Sequence, residues 1–283
     1  NETLPSASFA NGIAVLRMPL GLLHCEIIIA KRMKTPYIHD RAVHNDLAAL
    51  EILPTVLDMF KVHSVVDFGS GICTWLSAAQ DLGVEDCLGI DGEWVDLSML
   101  AIPKAQFLQQ NLHEDIRLGR RFDLAICLEV AEHLSPEKAE VLVDNIAKHS
   151  DLVLWSAAIE GQGGQYHINE RPPSYWDELF RSRGYVCEDS LRPTFWQNKK
   201  VEWWYRQNIL IYKKSEGARY GHDVISPPNH LIHPELFASK TEKVKRLEEE
   251  LFKINSGKAG IAFYLKKLAK SVLNFFHATH LRK

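Results

Sequence analysis

At 283 residues, with 46% hydrophobic and 24% charged side chains, the chain can bury a full core and has the balance of a globular protein in water. A net charge of −3 excludes a general electrostatic pull toward nucleic acid. Five widely spaced cysteines, Cys25, Cys73, Cys87, Cys127 and Cys187, show no zinc-ligand spacing and point to a reducing, cytoplasmic setting.

In chain order, residues 13–23 are apolar, but Arg17 and Pro19 interrupt them and the stretch is shorter than a membrane span. It also lacks the layout of a signal peptide. Residues 1–36 are read as an ancillary segment covering the core. A helix is predicted around 46–53, where apolar residues recur at threes and fours, with Pro54 inside or just after it. Tyr37, His39, Arg41 and His44 precede it; each could face a ligand, but a plain surface role is commoner for such residues.

From 64 to 214 strand and helix signals alternate, which predicts an α/β domain with a parallel sheet. Strands are predicted near 64–68, 86–91, 106–110, 122–128, 152–156, 185–189 and 208–213, and helices near 74–82, 94–101, 135–149 and 174–183. Cys87 and Cys127 fall inside these strands and read as small apolar core residues. Ser135, Pro136 and Glu137 form a helix entry: a cap, a first-turn proline and an acid against the dipole. Beyond 214 the pattern changes. Ser226-Pro227-Pro228-Asn229-His230 is a break, followed by a charged helix over 241–252 and an amphipathic one over 258–277. Residues 215–283 are read as a helical C-terminal appendage.

The centre of the pattern is Val65-Val66-Asp67-Phe68-Gly69-Ser70-Gly71, a buried strand that breaks into a glycine turn before a helix. Such a turn brings backbone N–H groups to one point, and its glycines permit positive φ and close approach of a ligand. A lone Gly-x-Gly is as often a tight turn with no ligand. Three features weigh toward a ligand. Cys87-Leu88-Gly89-Ile90-Asp91 is a second strand ending in an acid, 20 residues after Gly71, the spacing at which such an acid meets a ribose. Phe122-Asp123-Leu124-Ala125-Ile126-Cys127-Leu128-Glu129 is another buried strand ending in an acid. Position 74 is Thr where a dinucleotide fingerprint wants a third glycine, which argues against NAD or FAD and suits a ligand without phosphates.

In these residues, and in the Val130-Ala131-Glu132-His133-Leu134 that follows, the chain resembles the class I S-adenosylmethionine-dependent methyltransferases over roughly residues 60–215. The resemblance implies a Rossmann-like α/β fold: seven mostly parallel strands flanked by helices, the last strand returning antiparallel, over 37–214. It implies that Asp67, Gly69, Ser70 and Gly71 hold the methionine part of S-adenosyl-L-methionine and that Asp91 takes the ribose hydroxyls. Many members set an acid after strand three against the adenine amine. Asn111-Leu112 stand there in this chain, and Asn offers a carbonyl acceptor instead. Glu129 is a further cofactor contact, and S-adenosyl-L-homocysteine is the product.

In open α/β sheets ligands bind at the carboxyl ends of the strands. After strand four, Glu129, Glu132 and His133 fall within five positions. They could simply stabilise a turn. His133 could instead be a general base that takes a proton from a hydroxyl as the methyl group arrives. The three could also hold a divalent cation, since Glu-x-x-Glu-His looks like the pattern of the ubiquinone-biosynthesis O-methyltransferases, some of which use a metal there. The pattern is common in members without one, and no metal is the expectation here. After strand five, Gly161, Gly163 and Gly164 predict a mobile loop, followed by Tyr166, His167 and Asn169 before a helix. This run resembles a variant found among glycan and small-metabolite methyltransferases, and His167 is the second candidate base. Phe195-Trp196 and Trp203-Trp204-Tyr205, with Arg192, Arg206, Gln207 and Asn208, suit packing at the sheet edge, a sugar ring, or a flat aromatic acceptor.

The expected activity is methyl transfer to a hydroxyl of a sugar, glycan or small metabolite. The rivals are N-methyl transfer and a catalytically silent binding module. No nucleic-acid partner is expected; a homo-oligomer is one outcome. Residues 258–283 carry six basic residues and no acid, interleaved with Phe263, Leu265, Leu268, Val272, Leu273, Phe275 and Phe276. Packing of that face on the chain's own domain or on a second subunit is favoured over an anionic membrane surface.

Overall fold

The computed structural model describes the backbone of residues 6–10, 13–20, 23–30, 45–215 and 227–280, and the side chains of 45–215 and 227–271. Tyr37, His39, Arg41, His44 and the Cys25 side chain lie outside them. Three strands, β1 (Ser6–Ala10), β2 (Ile13–Leu20) and β3 (Leu23–Ala30), pair antiparallel in that order. The ancillary segment thus contains a meander that the sequence reading did not predict. Ile13 and Val15 alternate with Ala14 and Leu16, so both sets are apolar and no period of two shows.

The second unit runs α1 (Leu47–Met59), β4 (Ser64–Phe68), α2 (Thr74–Asp81), β5 (Asp86–Asp91), β6 (Phe107–Gln109), β7 (Leu124–Leu128), α3 (Ala139–His149), β8 (Leu152–Ser156), α4 (Pro173–Arg181), β9 (Tyr185–Glu188), α5 (Leu191–Phe195), α6 (Trp203–Asn208) and β10 (Leu210–Lys214). Two long helices follow, α7 (Pro234–Asn255) and α8 (Ile261–His280). The sheet order is β6-β5-β4-β7-β8-β10-β9. The pairs among β4 to β8 are parallel, and β10 is antiparallel to both its neighbours. This is the seven-stranded sheet with an antiparallel last strand that the resemblance implies.

Alternate side chains on each strand point to opposite faces, and both faces are covered. Val65, Leu124, Ile126 and Leu154 pack with Ile52, Leu53 and Val56 of α1 and Leu76 of α2. Val66, Phe68, Ala125, Cys127 and Trp155 pack with Leu142 and Ile146 of α3 and Trp176 and Phe180 of α4. Cys73, Cys87 and Cys127 are free thiols buried in this core.

Four elements depart from expectation. Helix α1 runs through the exposed Pro54 to Met59, because burial of Ile52, Leu53 and Val56 outweighs the missing N–H. The helix predicted over 94–101 is a series of turns: Asp96 accepts from the Ser98 N–H (2.9 Å) and hydroxyl (2.7 Å), a local bond that competes with a helix. Ser135 makes no side-chain cap; Pro136–Lys138 form a short 3-10 turn before α3 begins. The last strand starts at Leu210, since residues 203–208 are helical.

Strand β5 comes closest to the turn after β4 at Gly89. A Cβ there would lie 2.6 Å from Cys73 Sγ and 2.8 Å from Ser70 Oγ. Gly89→Ala should therefore cost about 1–3 kcal/mol of stability by overpacking. Urea denaturation checks this as a lower midpoint at unchanged slope; an unshifted midpoint would show that the turn yields freely.

Candidate functional site

The loops that follow β4, β5, β6, β7 and β8 meet at the carboxyl edge of the sheet. Gly69 (φ 83°) and Gly71 (φ 53°) turn the chain out of β4 in a left-handed conformation that favours glycine. A Cβ at Gly69 would also lie 2.4 Å from a Val130 methyl. The N–H groups of Gly69, Ser70 and Gly71 in this turn are bonded to the neighbouring strand. Gly69 and Ser70 donate to the Ile90 carbonyl (2.8 and 3.2 Å), and Gly71 donates to Asp91 Oδ2 (2.7 Å). Asp91 Oδ1 accepts from the Gly92 N–H at 2.6 Å. Asp67 and Asp91 are both buried. Burial, and then the Asp91 charge, push the Asp67 carboxyl well above the usual carboxylate range. What the turn presents is a buried pair of carboxyl groups.

Trp94 was not singled out in the sequence. Its ring occupies the space beside Gly92, within 2.2 Å of where a Cβ would stand, and it is 48% exposed. It follows Asp91 by three residues and offers an aromatic face next to the acid. Asn111 holds its carbonyl oxygen against the His113 N–H (3.0 Å), with His113 Nδ1 also at 3.0 Å, and Leu112 is buried.

A second acidic group follows β7. Glu129 has φ 54°, an uncommon conformation for a residue with a side chain, of the kind that collects at functional sites. Its Oε1 accepts from Asn208 Nδ2 (3.0 Å) and its Oε2 from Gln162 Nε2 (2.9 Å). Gln207 Nε2 in turn donates to Gln162 Oε1 (3.1 Å) and Asn208 Oδ1 (3.0 Å). Burial pushes Glu129 up. Glu132 is fully buried, and neither oxygen has a hydrogen bond of ordinary geometry. Burial, and then the Glu129 charge, push it well above the carboxylate range; the N–H groups of Glu132 and Ala158 offset part of this.

The glycine loop is pinned where the sequence suggested mobility. Glu170 Oε2 accepts from the Gly161 N–H (2.8 Å), and its Oε1 accepts from Gly163 N–H. His167 Nδ1 lies 2.9 Å from Glu170 Oε1. The N–H groups of Ile168 and Asn169 donate to the Glu132 carbonyl (2.8 and 3.0 Å). Gly164 is needed for the seat: a Cβ there would lie 2.1 Å from His167 Nε2. Glu170 thus carries a positioning role that no residue pattern had marked, and Gly164, read from sequence as part of a mobile loop, makes room for the His167 ring.

This loop brings the two candidate bases together. The His133 and His167 rings meet edge to face at 4.9 Å, and His167 Nε2 lies 4.0 Å from Glu132 Oε1. One ligand atom each from Glu132, His133 and His167 lie within 4.8 Å of one another. The sequence grouping of Glu129, Glu132 and His133 is corrected here: Glu129 turns both oxygens to amides, and His167 takes its place. His133 also lines a groove of about 440 Å³ with Asn111, His113, Glu114, Ser135, Lys138 and Ile168.

The aromatic group divides. Arg192 and Arg206 are buried and do not form a sugar platform. Arg192 pairs with Asp189 and donates to the Asn229 carbonyl (2.8 Å); Arg206 pairs with Glu235 (2.7 Å) and donates to the Trp196 carbonyl (3.2 Å). Tyr205 meets Trp75 edge-on at 5.3 Å. Trp203 and Trp204 are half-buried at the start of α6.

No family model matches the chain, and no curated protein matches it. Among solved structures, it is similar to an O-methyltransferase family protein from Burkholderia thailandensis (16% identity, 63% of this chain and 61% of that one, TM-score 0.44). It is also similar to the magnesium protoporphyrin IX methyltransferase of Synechocystis PCC 6803 with bound SAH (17%, 62% and 85%, 0.45). A third likeness is to the small RNA methyltransferase HEN1 (16%, 67% and 28%, 0.46).

Glu132 has a testable signature. Its folded pKa is raised, so its contribution to stability is lost as pH rises from the ordinary carboxylate range toward the folded value. Glu132→Gln removes that loss. The melting temperature of the variant minus that of the wild type should rise with pH between about 4 and 8, in chelator. A difference that is flat with pH would mean Glu132 does not titrate against the fold.

Proposed function

We propose that the chain transfers a methyl group from S-adenosyl-L-methionine to a hydroxyl of a sugar, glycan or small metabolite. The observation that carries the cofactor is the buried pair Asp67 and Asp91 at a turn whose N–H groups are already bonded within the protein. A pyrophosphate would meet carboxyl groups there, and the Gly69, Ser70 and Gly71 N–H groups are already bonded. A ligand with an ammonium and a sulfonium meets the charge it needs. Asp91 stands at the carboxyl end of β5, where an acid takes ribose hydroxyls, and Trp94 supplies a face for the adenine ring. Ser70, Asn111, Leu112 and Glu129 sit on the same edge of the sheet.

In the transfer, an acceptor oxygen attacks the methyl carbon as the carbon–sulfur bond breaks, and the electron pair stays on sulfur. Most of the acceleration comes from alignment and exclusion of water. The hydroxyl proton goes to histidine. An ionised Glu170 only accepts, so His167 Nδ1 carries the hydrogen and Nε2 holds the lone pair. His133, edge-on to that ring, is the alternative base.

One observation favours a second reading. A buried Glu132 whose oxygens lack a hydrogen bond of ordinary geometry, beside a second carboxyl, needs either a proton or a cation. Glu132, His133 and His167 fit a divalent cation, which would lower the pKa of an acceptor hydroxyl. The readings exclude each other at His167, which has one lone pair to give.

Titration calorimetry with S-adenosyl-L-homocysteine tests the cofactor. Wild type should bind, and Asp91→Ala should weaken binding by roughly 1.5–3 kcal/mol for each charge-assisted bond lost. No binding by wild type sinks the proposal. With labelled S-adenosyl-L-methionine and sugar or metabolite extracts, His167→Ala or His133→Ala should lower turnover about a hundredfold with cofactor affinity kept. Full activity in both variants removes histidine as the base. The cation reading instead expects manganese or magnesium to raise the melting temperature of wild type but not of Glu132→Gln. No rise in wild type, with activity intact in chelator, discards it.

A further inference from the structure

We propose that α8 docks the protein on an anionic membrane surface, lying in the plane of the lipid headgroups. Helix α7 is anchored only at its start. His233 donates its N–H to Gln207 Oε1 (2.7 Å), Glu235 pairs with Arg206, and Leu236 is buried. From Phe237 onward most of the large apolar side chains of α7 are exposed, among them Val244, Leu247 and Leu251, while Ile254 is half-buried. Gly257 and Gly260, both at positive φ, turn the chain into α8. There Ile261 is 80% exposed, Leu265 59% and Leu268 62%, so the described part of α8 does not pack on its own domain. This corrects one of the two coverings favoured from sequence.

Charge decides what covers that face. Helix α7 carries five acids and five bases and suits a solvated position or a protein partner. Helix α8 carries Lys266, Lys267 and Lys270 and no acid. At 100° per residue, Ile261, Leu265 and Leu268 fall on one side, and Lys266 and Lys270 fall opposite. Val272, Phe275 and Phe276 continue the apolar spacing in the sequence. Lys258 precedes the helix and Arg282 and Lys283 follow it. Lys267 has a neighbour in Glu250 at 3.6 Å, an exposed pair too weak to remove it from play.

A second copy could cover the apolar side, but it would leave the lysines facing water with no anionic partner. A nucleic acid would use the lysines but leave the apolar half in water. An anionic bilayer surface satisfies both halves at once. Among the described residues no helix is long and apolar enough to cross a membrane, so α8 lies on the surface.

Vesicle flotation of the full chain tests this. The protein should float with phosphatidylcholine vesicles containing about a third phosphatidylserine, stay down with phosphatidylcholine alone, and come off as salt is raised. Lys266→Gln/Lys267→Gln/Lys270→Gln should lower partitioning about a hundredfold, at close to one decade or less per lysine. Leu265→Asp/Leu268→Asp should abolish it. Both changes are on the surface, so an unchanged melting temperature is expected. Three results overturn the proposal: no flotation on anionic vesicles, equal flotation on neutral ones, or light scattering that shows a lipid-free dimer split by the leucine variant. A chain that ignores vesicles but retards single-stranded RNA through the same lysines overturns it as well.

Discussion

The carboxyl edge of the sheet depends on how tightly β5 is drawn against the turn that leaves β4. Three successive N–H groups of that turn bond to Ile90 and Asp91. The approach leaves no space for a side chain at position 89 and none at 69, where Val130 stands. It also settles the chemistry of the turn. Elsewhere a glycine turn at a helix start collects anions because its N–H groups are open. Here they are closed by the neighbouring strand, and the acids that remain invite a cation.

Much of this was legible in the residues. Strands β4, β7 and β8 are covered on both faces, so Val65 and Val66 both had to be apolar though they point in opposite directions. The distance from Gly71 to Asp91 set the acid at the end of the neighbouring strand, because one crossover helix separates adjacent parallel strands. The acceptors of the turn's N–H groups were not legible, since spacing fixes a neighbourhood and not a bond. Trp94 was missed because an aromatic residue after an acid looks like any surface tryptophan. The helix expected over 94–101 failed on Asp96, whose short side chain satisfies the Ser98 N–H locally. Glu170 was passed over because its value lies in closing a loop on itself.

The edge of the sheet contains two separate pairs of acids, Asp67 with Asp91 and Glu129 with Glu132. Each is buried, and the leading carboxyl of each is pushed well upward. Glu129 adds a backbone conformation that side chains avoid. Left alone, these features oppose folding, and they persist only because the sheet beneath them is covered on both faces. Stability is given up at the edge where ligands meet the protein, as is usual for sites that must favour a bound state over an empty one.

The start of α7 has a further consequence, for where the chain can be cut. All seven strands are complete at Lys214, and a truncation there looks clean on a map of secondary structure. Yet Arg192 and Arg206 are buried cations that reach past that point, to the Asn229 carbonyl and the Glu235 carboxylate. The Gln207 side chain, one hydrogen bond from the amides that hold Glu129, accepts from His233 in the same segment. A shortened protein ending at Lys214 would keep its sheet but take one partner from each of the two guanidinium groups, and would loosen the amide chain behind its own acidic site. The smallest piece that preserves these bonds must extend through Glu235.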